Sequence, residues 1–370
     1  TNHNYATPTD DGRVVEKWSF RRSNYFKYVG EECRNVMENV GLQDMSAFAK
    51  CFITGPGAEA WLDGLFANKL PKKIGRLALC HMLTPRGGVR AEFTVFKMRE
   101  NAYYLVSAGA FERHDHDYLK KALPADGSVQ FQYATNQWGV LVLAGPNSRR
   151  VLQKLTDADL SNEAFPWLSG KQISVGATTA YAMRVNFVGE LGWEFHHPIE
   201  QQVALFDHLM EAGKELGIRP YGIKAMSSLS IEKSYRLVPR ELSIEYSAYE
   251  SGLDRFVHPN KGQFIGRDAL VESKQNGLKW TFVTLEVHGV TDTDSDVRGS
   301  EPIYAKGQLV GRATNGGYGF RVNKSLALAM VKPAHAAIGT ELEVKILGKL
   351  FKATVIPESP YDPENKSLRA

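Results

Sequence analysis

One local pattern occurs twice in this chain: a short apolar strand, a Gly-Pro turn and a stretch with the apolar spacing of a helix. The first copy is FITGPG at residues 52–57, followed by a periodic run that ends at Leu65. The second is VLAGPN at residues 142–147, followed by a run that ends at Leu155. Proline in such a turn favours the start of a helix. Two related α+β lobes are therefore predicted, the second beginning near Trp138.

The first copy also has the form of a dinucleotide-binding glycine fingerprint, because GPGAEA at residues 55–60 follows a strand and precedes a helix. No acidic residue follows at the spacing that a ribose needs, and the second copy has Asn147 in place of the second glycine. We therefore interpret the segment as a turn and predict no flavin or nicotinamide bound by this chain.

From about Lys279 the pattern changes to short alternating strands. Val283, Leu285 and Val287 alternate with polar positions, and two further alternating runs flank the turn at Gly348. The polar stretch at residues 292–299 is typical of a loop. An antiparallel β-barrel is predicted for residues 279–370.

Composition excludes several classes of function. The 370 residues are 43% hydrophobic and 23% charged, as expected for a globular protein of two or three units. The net charge of +4 is scattered, without basic runs interleaved with aromatic residues, so no nucleic-acid partner is predicted. No run of about 18 apolar residues predicts a membrane helix, and residues 1–13 lack the apolar core of a signal peptide. The three cysteines show no pairing pattern, which favours a reducing, cytoplasmic location.

The histidines at positions 114 and 116 do not predict a metal site. They lie in a predicted helix, where residues two apart face away from each other. Cys80 and His81 are adjacent, and we interpret them as a buried thiol beside a hydrogen-bonded imidazole, with a position at a cavity as the alternative. No metal is predicted.

Two carboxylates, Glu190 and Glu194, flank a glycine-rich turn in the segment FVGELGWEF at residues 187–195. Alternation of Met183, Val185 and Phe187 predicts a strand that reaches Gly189. A carboxylate at such a turn accepts two parallel hydrogen bonds, which suits the amino-pyrimidinone edge of a pterin. The alternative is an ordinary hairpin with two solvated glutamates.

Several further segments complete a family pattern, in this order: GLQDMS (41–46), RGG (86–88), the 189–194 block, LSIEKSY (229–235), KGQFIGR (261–267), EPIY (301–304) and YDPE (361–364). With them the chain resembles the aminomethyltransferase family, which includes the glycine cleavage T-protein and the C-terminal halves of sarcosine and dimethylglycine dehydrogenases. The resemblance implies a three-domain ring with tetrahydrofolate in its centre. The predicted domains are residues 1–50 with 138–245, residues 51–137 with 246–278, and the barrel 279–370.

The resemblance also implies site residues. The pterin clamp maps onto Glu194, with Glu190 as a weaker candidate. The carboxylate that steers protons maps onto Glu92, one methylene longer than the family's aspartate, and a solvated strand residue is the alternative. Tyr235 is the second candidate for catalysis. Tyr249, which lies where the family chain re-enters the ring, is a candidate folate ligand.

One departure concerns the helix after the clamp, where Ser230 replaces the family's arginine. Serine does not supply a bidentate cationic donor, and Arg236 or Arg240 are candidates to replace it; we include Arg236 among the predicted folate ligands.

The predicted function is transfer of a methyl or methylene group from a small N-, S- or O-methylated donor to tetrahydrofolate, alone or with a separate flavin dehydrogenase or oxidase. The alternative is a folate-binding regulator or assembly factor without turnover, which Ala91, Glu92 and Ser230 favour.

Overall fold

The computed structural model describes residues 19–370 and the backbone of two short strands before them. The strands are, in chain order, β1 (Thr7–Pro8), β2 (Val14–Val15), β3 (Val40–Asp44), β4 (Ala49–Thr54), β5 (Leu77–Leu83), β6 (Val89–Arg99), β7 (Ala102–Ser107), β8 (Gln130–Tyr133), β9 (Trp138–Ala144), β10 (Gly170–Val175), β11 (Thr178–Met183), β12 (Gly192–Pro198), β13 (Ile218–Pro220), β14 (Thr281–Val287), β15 (Pro302–Ala305), β16 (Gln308–Gly319), β17 (Lys324–Val331), β18 (Glu341–Ile346) and β19 (Lys349–Ile356). The helices are α1 (Phe26–Glu38), α2 (Ala58–Leu65), α3 (Glu112–Lys121), α4 (Ser148–Gln153), α5 (Gln202–Gly213), α6 (Ile223–Ile231), α7 (Arg267–Asn276) and α8 (Lys366–Arg369).

Two sheets form the two lobes. The first has six strands in the order β10-β11-β12-β9-β3-β13, and the second has five in the order β5-β6-β7-β4-β8. Each sheet packs one face against its own helices: Leu141 and Leu143 of β9 contact residues of α4 and α5, and Ile53 of β4 contacts α2 and α3. The opposite face of each sheet is therefore free of its own helices, and the two free faces can pack against each other.

The repeated strand, turn and helix is confirmed in both copies, as β4 with α2 and as β9 with α4. The second helix ends at Gln153, two residues earlier than predicted. Glycine is required before each proline, since Gly55 and Gly145 have φ of +118° and +131°. A Cβ on Gly55 would also lie 2.3 Å from the Ser128 carbonyl oxygen.

Aromatic side chains join the two lobes. The Trp138 ring of β9 lies 5.5 Å from the Phe52 ring of β4 and stacks on Tyr181 of β11 at 5.8 Å, measured between centroids. Phe96 of β6, in the five-stranded sheet, also contacts the ring of Tyr181. The two sheets therefore face each other, and polar residues on these faces lie between the lobes.

The barrel prediction is confirmed. Strands β14, β17, β16, β15, β18 and β19 close into an antiparallel barrel, because β19 pairs with β14. Its interior is apolar, with Leu285, Ala327 and Val344 all fully buried. Gly348 forms the turn between β18 and β19, as predicted. After the barrel the chain returns to the first lobe, where the Tyr361 amide donates to the Glu232 carbonyl.

The strand predicted to reach Gly189 is wrong in its length, because β11 ends at Met183. Asn186 explains the change. Its side-chain amide donates to the Glu190 carbonyl and its side-chain oxygen accepts from the Val188 amide. These local bonds replace the ladder of a sheet and fold residues 184–191 into an irregular loop.

Among the described helices, none combines the length and the apolar composition that crossing a membrane requires.

Candidate functional site

Glu194 lies on the inner face of the six-stranded sheet. Trp193 and Phe195 point into the core of the lobe, so the alternation of β12 turns Glu194 and His196 the other way. The His196 Nε2 lies 3.2 Å from the Glu194 carboxylate, and its Nδ1 lies 3.1 Å from the hydroxyl of Tyr104 on the facing sheet. A carboxylate only accepts, so Nε2 donates to Glu194 and Nδ1 accepts from Tyr104. Burial lowers the pKa of His196, which favours its neutral form. The hydrogen bond from Nε2 then orients the Glu194 carboxylate.

Polar atoms without partners surround this carboxylate. Gln43 of β3 and Glu194 of β12 both pair with Val142 of β9, so their side chains flank Val142 on one face. Gln43 Nε2 and the Tyr221 hydroxyl are buried and have no hydrogen-bond partner in the described part of the chain. Burial raises the pKa of Tyr221, and the charge of Glu194 raises it further, which puts the hydroxyl within electrostatic reach of that carboxylate. Unpaired buried groups of this kind are costly and fit a polar heterocycle with donors and acceptors along its edges.

Glu92 is a partly buried member of a hydrogen-bonded pair. Its residue position on β6 is directly opposite His81 on β5, and its Oε2 lies 2.9 Å from the imidazole Nε2. The side chain of Glu92 is 23% exposed, whereas that of His81 is fully buried. This arrangement differs from the alternative given for Glu92, a solvated strand residue without a specific partner. The neighbouring thiol of Cys80 is also buried, as interpreted from the sequence.

Both predicted carboxylates face the space between the lobes. Glu92 and Phe96 share one face of β6, and Phe96 is paired with Tyr104, which contacts His196. Four residues of strand, roughly 13 Å, separate Glu92 from Phe96. The clamp candidate and the proton-steering candidate therefore lie on the inner faces of different sheets.

Tyr235 lies beside the loop at residues 184–191. Its ring is 5.0 Å from the Phe187 ring, and its amide donates to the Ser230 carbonyl at the end of α6. Burial raises the pKa of Tyr235 to about 12. The hydroxyl is therefore a proton donor at neutral pH, and its part in catalysis stays a prediction.

Tyr249 has a packing role. It is 7% exposed and lies in an apolar cluster with Leu83, Leu253 and Leu270. The ammonium of Lys274 lies 4.5 Å from the centroid of its ring. Because its ring is used in this core, we do not retain it among the proposed folate ligands.

Glu190 belongs to a buried ionic cluster formed with Arg321, Glu232 and Tyr361. Arg321 Nη1 lies 3.1 Å from Glu190 Oε1, and its Nε lies 3.2 Å from Glu232 Oε2. The Tyr361 hydroxyl donates to Glu190, and the Arg321 guanidinium stacks on the Tyr361 ring at 3.8 Å. Arg321 also donates to the Val188 carbonyl. The weaker clamp candidate is thus occupied by protein partners, and the cluster fastens the barrel to the loop at residues 184–191.

Arg236 is also occupied by the protein. Its Nε donates to the Ser251 carbonyl, its Nη1 pairs with Glu358 at 2.8 Å, and its guanidinium lies 3.8 Å from the centroid of the Phe282 ring. Arg240 donates to the Arg298 carbonyl. Both arginines connect to the barrel or the C-terminal segment, so we remove Arg236 from the folate ligands. Arg321, in contrast, contacts the loop at residues 184–191, which we call the clamp loop, through the Val188 carbonyl.

The ionic cluster makes stability depend on pH. Burial raises the pKa of Glu232 to about 7, against the attraction of Arg321, and burial also raises that of Glu190. A carboxyl with a raised pKa in the folded state binds its proton more tightly there than in the unfolded chain. Its contribution therefore destabilises the fold as the pH rises from about 4.5 to about 7.

Glu232→Gln removes this titration. Relative to wild type, the free energy of unfolding of the variant is expected to gain about 1–3 kcal/mol between pH 4.5 and pH 7.5. Urea unfolding at both pH values measures the difference. Glu211→Gln, on an exposed position of α5, is the matched control and should track the wild type within about 0.5 kcal/mol at both. An equal response of the two variants would contradict the assignment.

Several residues of the site were not predicted from the sequence: Gln43, His196, Tyr221 and Arg321. One signal was available, because Glu194 and His196 are two apart in a strand and so share a face. The others come from different elements, and only the fold brings them together.

Within the described residues, no group of three or more His, Cys, Asp or Glu side chains is placed to hold a metal ion.

Comparisons with known proteins agree with this architecture. A family model described as the GCVT N-terminal domain matches residues 5–261, and one described as the glycine cleavage T-protein C-terminal barrel domain matches residues 281–362. A crystal structure of the glycine cleavage system aminomethyltransferase T from Bartonella henselae superposes with a TM-score of 0.80 at 24% identity, covering 90% of each chain.

Relatives of two sizes are similar in sequence. Mitochondrial dimethylglycine dehydrogenase of Mus musculus is 42% identical over 342 residues, covering 92% of this chain and 39% of that protein. The aminomethyltransferase of Caldanaerobacter subterraneus subsp. tengcongensis is 29% identical over 360 residues, covering 97% and 95%. The chain thus spans about two fifths of the length of the dehydrogenase. That relative is described as mitochondrial, and a cytoplasmic location for this protein stays a prediction. Since the first family model matches most of the chain, this protein belongs to the glycine cleavage T-protein (GCVT) family, as its motifs predicted.

Proposed function

We propose that this protein transfers a one-carbon unit, methyl or methylene, from a small methylated donor to tetrahydrofolate. The observation that carries the proposal is the carboxylate of Glu194 beside the unpaired Gln43 amide and Tyr221 hydroxyl. Together they offer acceptors and donors in a buried place between the lobes. A pterin presents an exocyclic amine and a ring N–H that pair with a carboxylate, and a carbonyl that accepts from an amide.

The residues have separate roles. Glu194, oriented by His196, binds the pterin edge, and Gln43 and Tyr221 satisfy its remaining polar atoms. Glu92 accepts the proton that a folate nitrogen loses when its lone pair forms the new bond to carbon. Burial between the two sheets keeps water away from the reacting carbon and strengthens each hydrogen bond.

The donor class follows from the relatives. Their names include dimethylglycine dehydrogenase, sarcosine dehydrogenase and a formaldehyde-forming 4-methylaminobutanoate oxidase, all of which act on N-methylated amino acids. We propose an N-methylated amine as the donor, with oxidation to the formaldehyde level carried out by a flavin dehydrogenase or oxidase, on the same or a separate polypeptide. S- and O-methyl compounds are the alternatives.

A transfer assay tests the proposal. The protein is incubated with tetrahydrofolate and a panel of N-, S- and O-methylated compounds, with and without formaldehyde or an amine-oxidising dehydrogenase, and the folates are measured by mass spectrometry. Methyl- or methylene-tetrahydrofolate above the uncatalysed level, lost in Glu194→Ala, is the expected result. Tight folate binding without any product would favour the regulator without turnover.

A further inference from the structure

His81 is placed to act on Glu92 and on little else. The two residues are paired across β5 and β6, with Nε2 of His81 2.9 Å from Oε2 of Glu92. His81 is fully buried, its backbone carbonyl accepts from the Ala67 amide, and the Phe256 ring lies 5.6 Å from its own ring centroid. These contacts fix the imidazole in one orientation.

The other ring nitrogen has no partner. Nδ1 of His81 is buried and unpaired among the described residues. A carboxylate only accepts, so Nε2 carries the proton that it shares with Glu92. A second N–H on Nδ1 would be a buried donor without an acceptor, which costs about 1–3 kcal/mol. The only paired ring nitrogen of His81 among the described residues is therefore Nε2, and its N–H is committed to Glu92.

The free end of Glu92 points away from this contact. Oε1 has no hydrogen-bond partner in the described residues, and the side chain is 23% exposed, in contrast to the buried histidine. One carboxylate oxygen is thus anchored and the other is available.

We infer that His81 is a positioning residue for the proposed one-carbon transfer: it selects the side-chain conformation of Glu92, so that Oε1 is left free to accept the proton. In this step the folate nitrogen lone pair attacks the iminium carbon of the oxidised amine donor, and the C=N π pair passes to the donor nitrogen. The folate N–H bond breaks and its proton passes to Oε1, which then protonates the donor amine as the bond between that amine and the carbon breaks. Misplacement of a catalytic group by about 1 Å costs on the order of 10² in rate. The inference rests on the proposed function.

Kinetic measurements separate positioning from packing. His81→Leu keeps an apolar volume but removes the donor, and it should lower kcat by about tenfold to a hundredfold while folate affinity stays within a few-fold. His81→Gln restores an N–H at the same distance from the backbone and should recover most of the rate. In a Glu92→Gln background, His81→Leu should cause less than about twofold further loss, because the carboxylate it serves is gone. Equal losses in both backgrounds would overturn the inference and leave a packing role.

A spectroscopic test does not depend on turnover. In protein labelled with ¹⁵N-histidine, the downfield proton signal of His81 Nε2–H, assigned by its loss in His81→Gln, should move upfield in Glu92→Leu. A signal that does not move would overturn the pairing. Absence of transfer by the wild type with every donor would instead overturn the proposed function, so the two failures are distinguishable.

Discussion

Glu92→Gln is expected to lower kcat by about 10² or more while the Kd for tetrahydrofolate stays within a few-fold. Glutamine keeps the shape of the side chain, and its carbonyl oxygen still accepts from His81 Nε2. It does not accept a proton, so the change removes the base without removing the contact across the strands. Steady-state kinetics with the donor found in the transfer assay, together with calorimetric titration of folate, measure both quantities.

Glu92→Asp is the companion variant. It retains a proton-accepting carboxylate at the reach of the family's aspartate, so it should keep more turnover than Glu92→Gln. A third variant, Thr94→Val on the same face of β6, controls for changes in that strand. Wild-type turnover in Glu92→Gln would rule out the catalytic role and move the search to Tyr235, the second candidate for catalysis, whose pKa is raised by burial.

Glu194→Ala should weaken tetrahydrofolate binding by roughly 1.5–3 kcal/mol, which is about tenfold to 150-fold in Kd, in a protein that remains folded. The reason is the loss of charge-assisted hydrogen bonds between the carboxylate and the pterin edge. Isothermal titration with tetrahydrofolate and with a reduced pterin that lacks the aminobenzoyl-glutamate tail gives the measurement. The loss should be equal for both ligands, because both contain the bound edge.

Glu190→Gln, on the loop that precedes β12, is the matched control. Glu190 pairs with Arg321, so its change should lower stability, through the weakened buried ion pair, and leave folate affinity within a few-fold. Unchanged affinity in a folded Glu194→Ala variant would contradict the clamp assignment. A larger loss of affinity in Glu190→Gln than in Glu194→Ala would reverse the order of the two candidates.

Local sequence determined the elements that depend on neighbouring residues. The Gly-Pro turns require glycine at positive φ and favour a helix start, so β4 with α2 and β9 with α4 were predictable. Alternation with a period of two predicted the barrel strands, because each has one face in an apolar core. Motifs in the right order identified the family, and the resemblance implied Glu92 and Glu194 as candidate site residues.

Periodicity failed where side chains bond to their own backbone. Met183, Val185 and Phe187 alternate as a strand does, yet Asn186 ties residues 186–190 into a loop through its own amide. Such a competition between local hydrogen bonds and a sheet ladder is decided by whether a neighbouring strand is available. That depends on the tertiary fold and is absent from the pattern of apolar residues.

The partners of each charged residue were decided by tertiary structure alone. Glu190 and Glu194 have similar local sequence, but one faces Arg321, 131 positions later in the chain, and the other faces His196 and the space between the lobes. Arg236 pairs with Glu358 and Arg321 with Glu190, because the C-terminal segment and the barrel fold back onto the first lobe. The energy of a buried charge depends on which groups replace the water it loses. The sequence by itself therefore determined the lobes, the barrel and the two carboxylates, whereas only the fold decided which of the charged groups are paired with the protein and which remain available to a ligand.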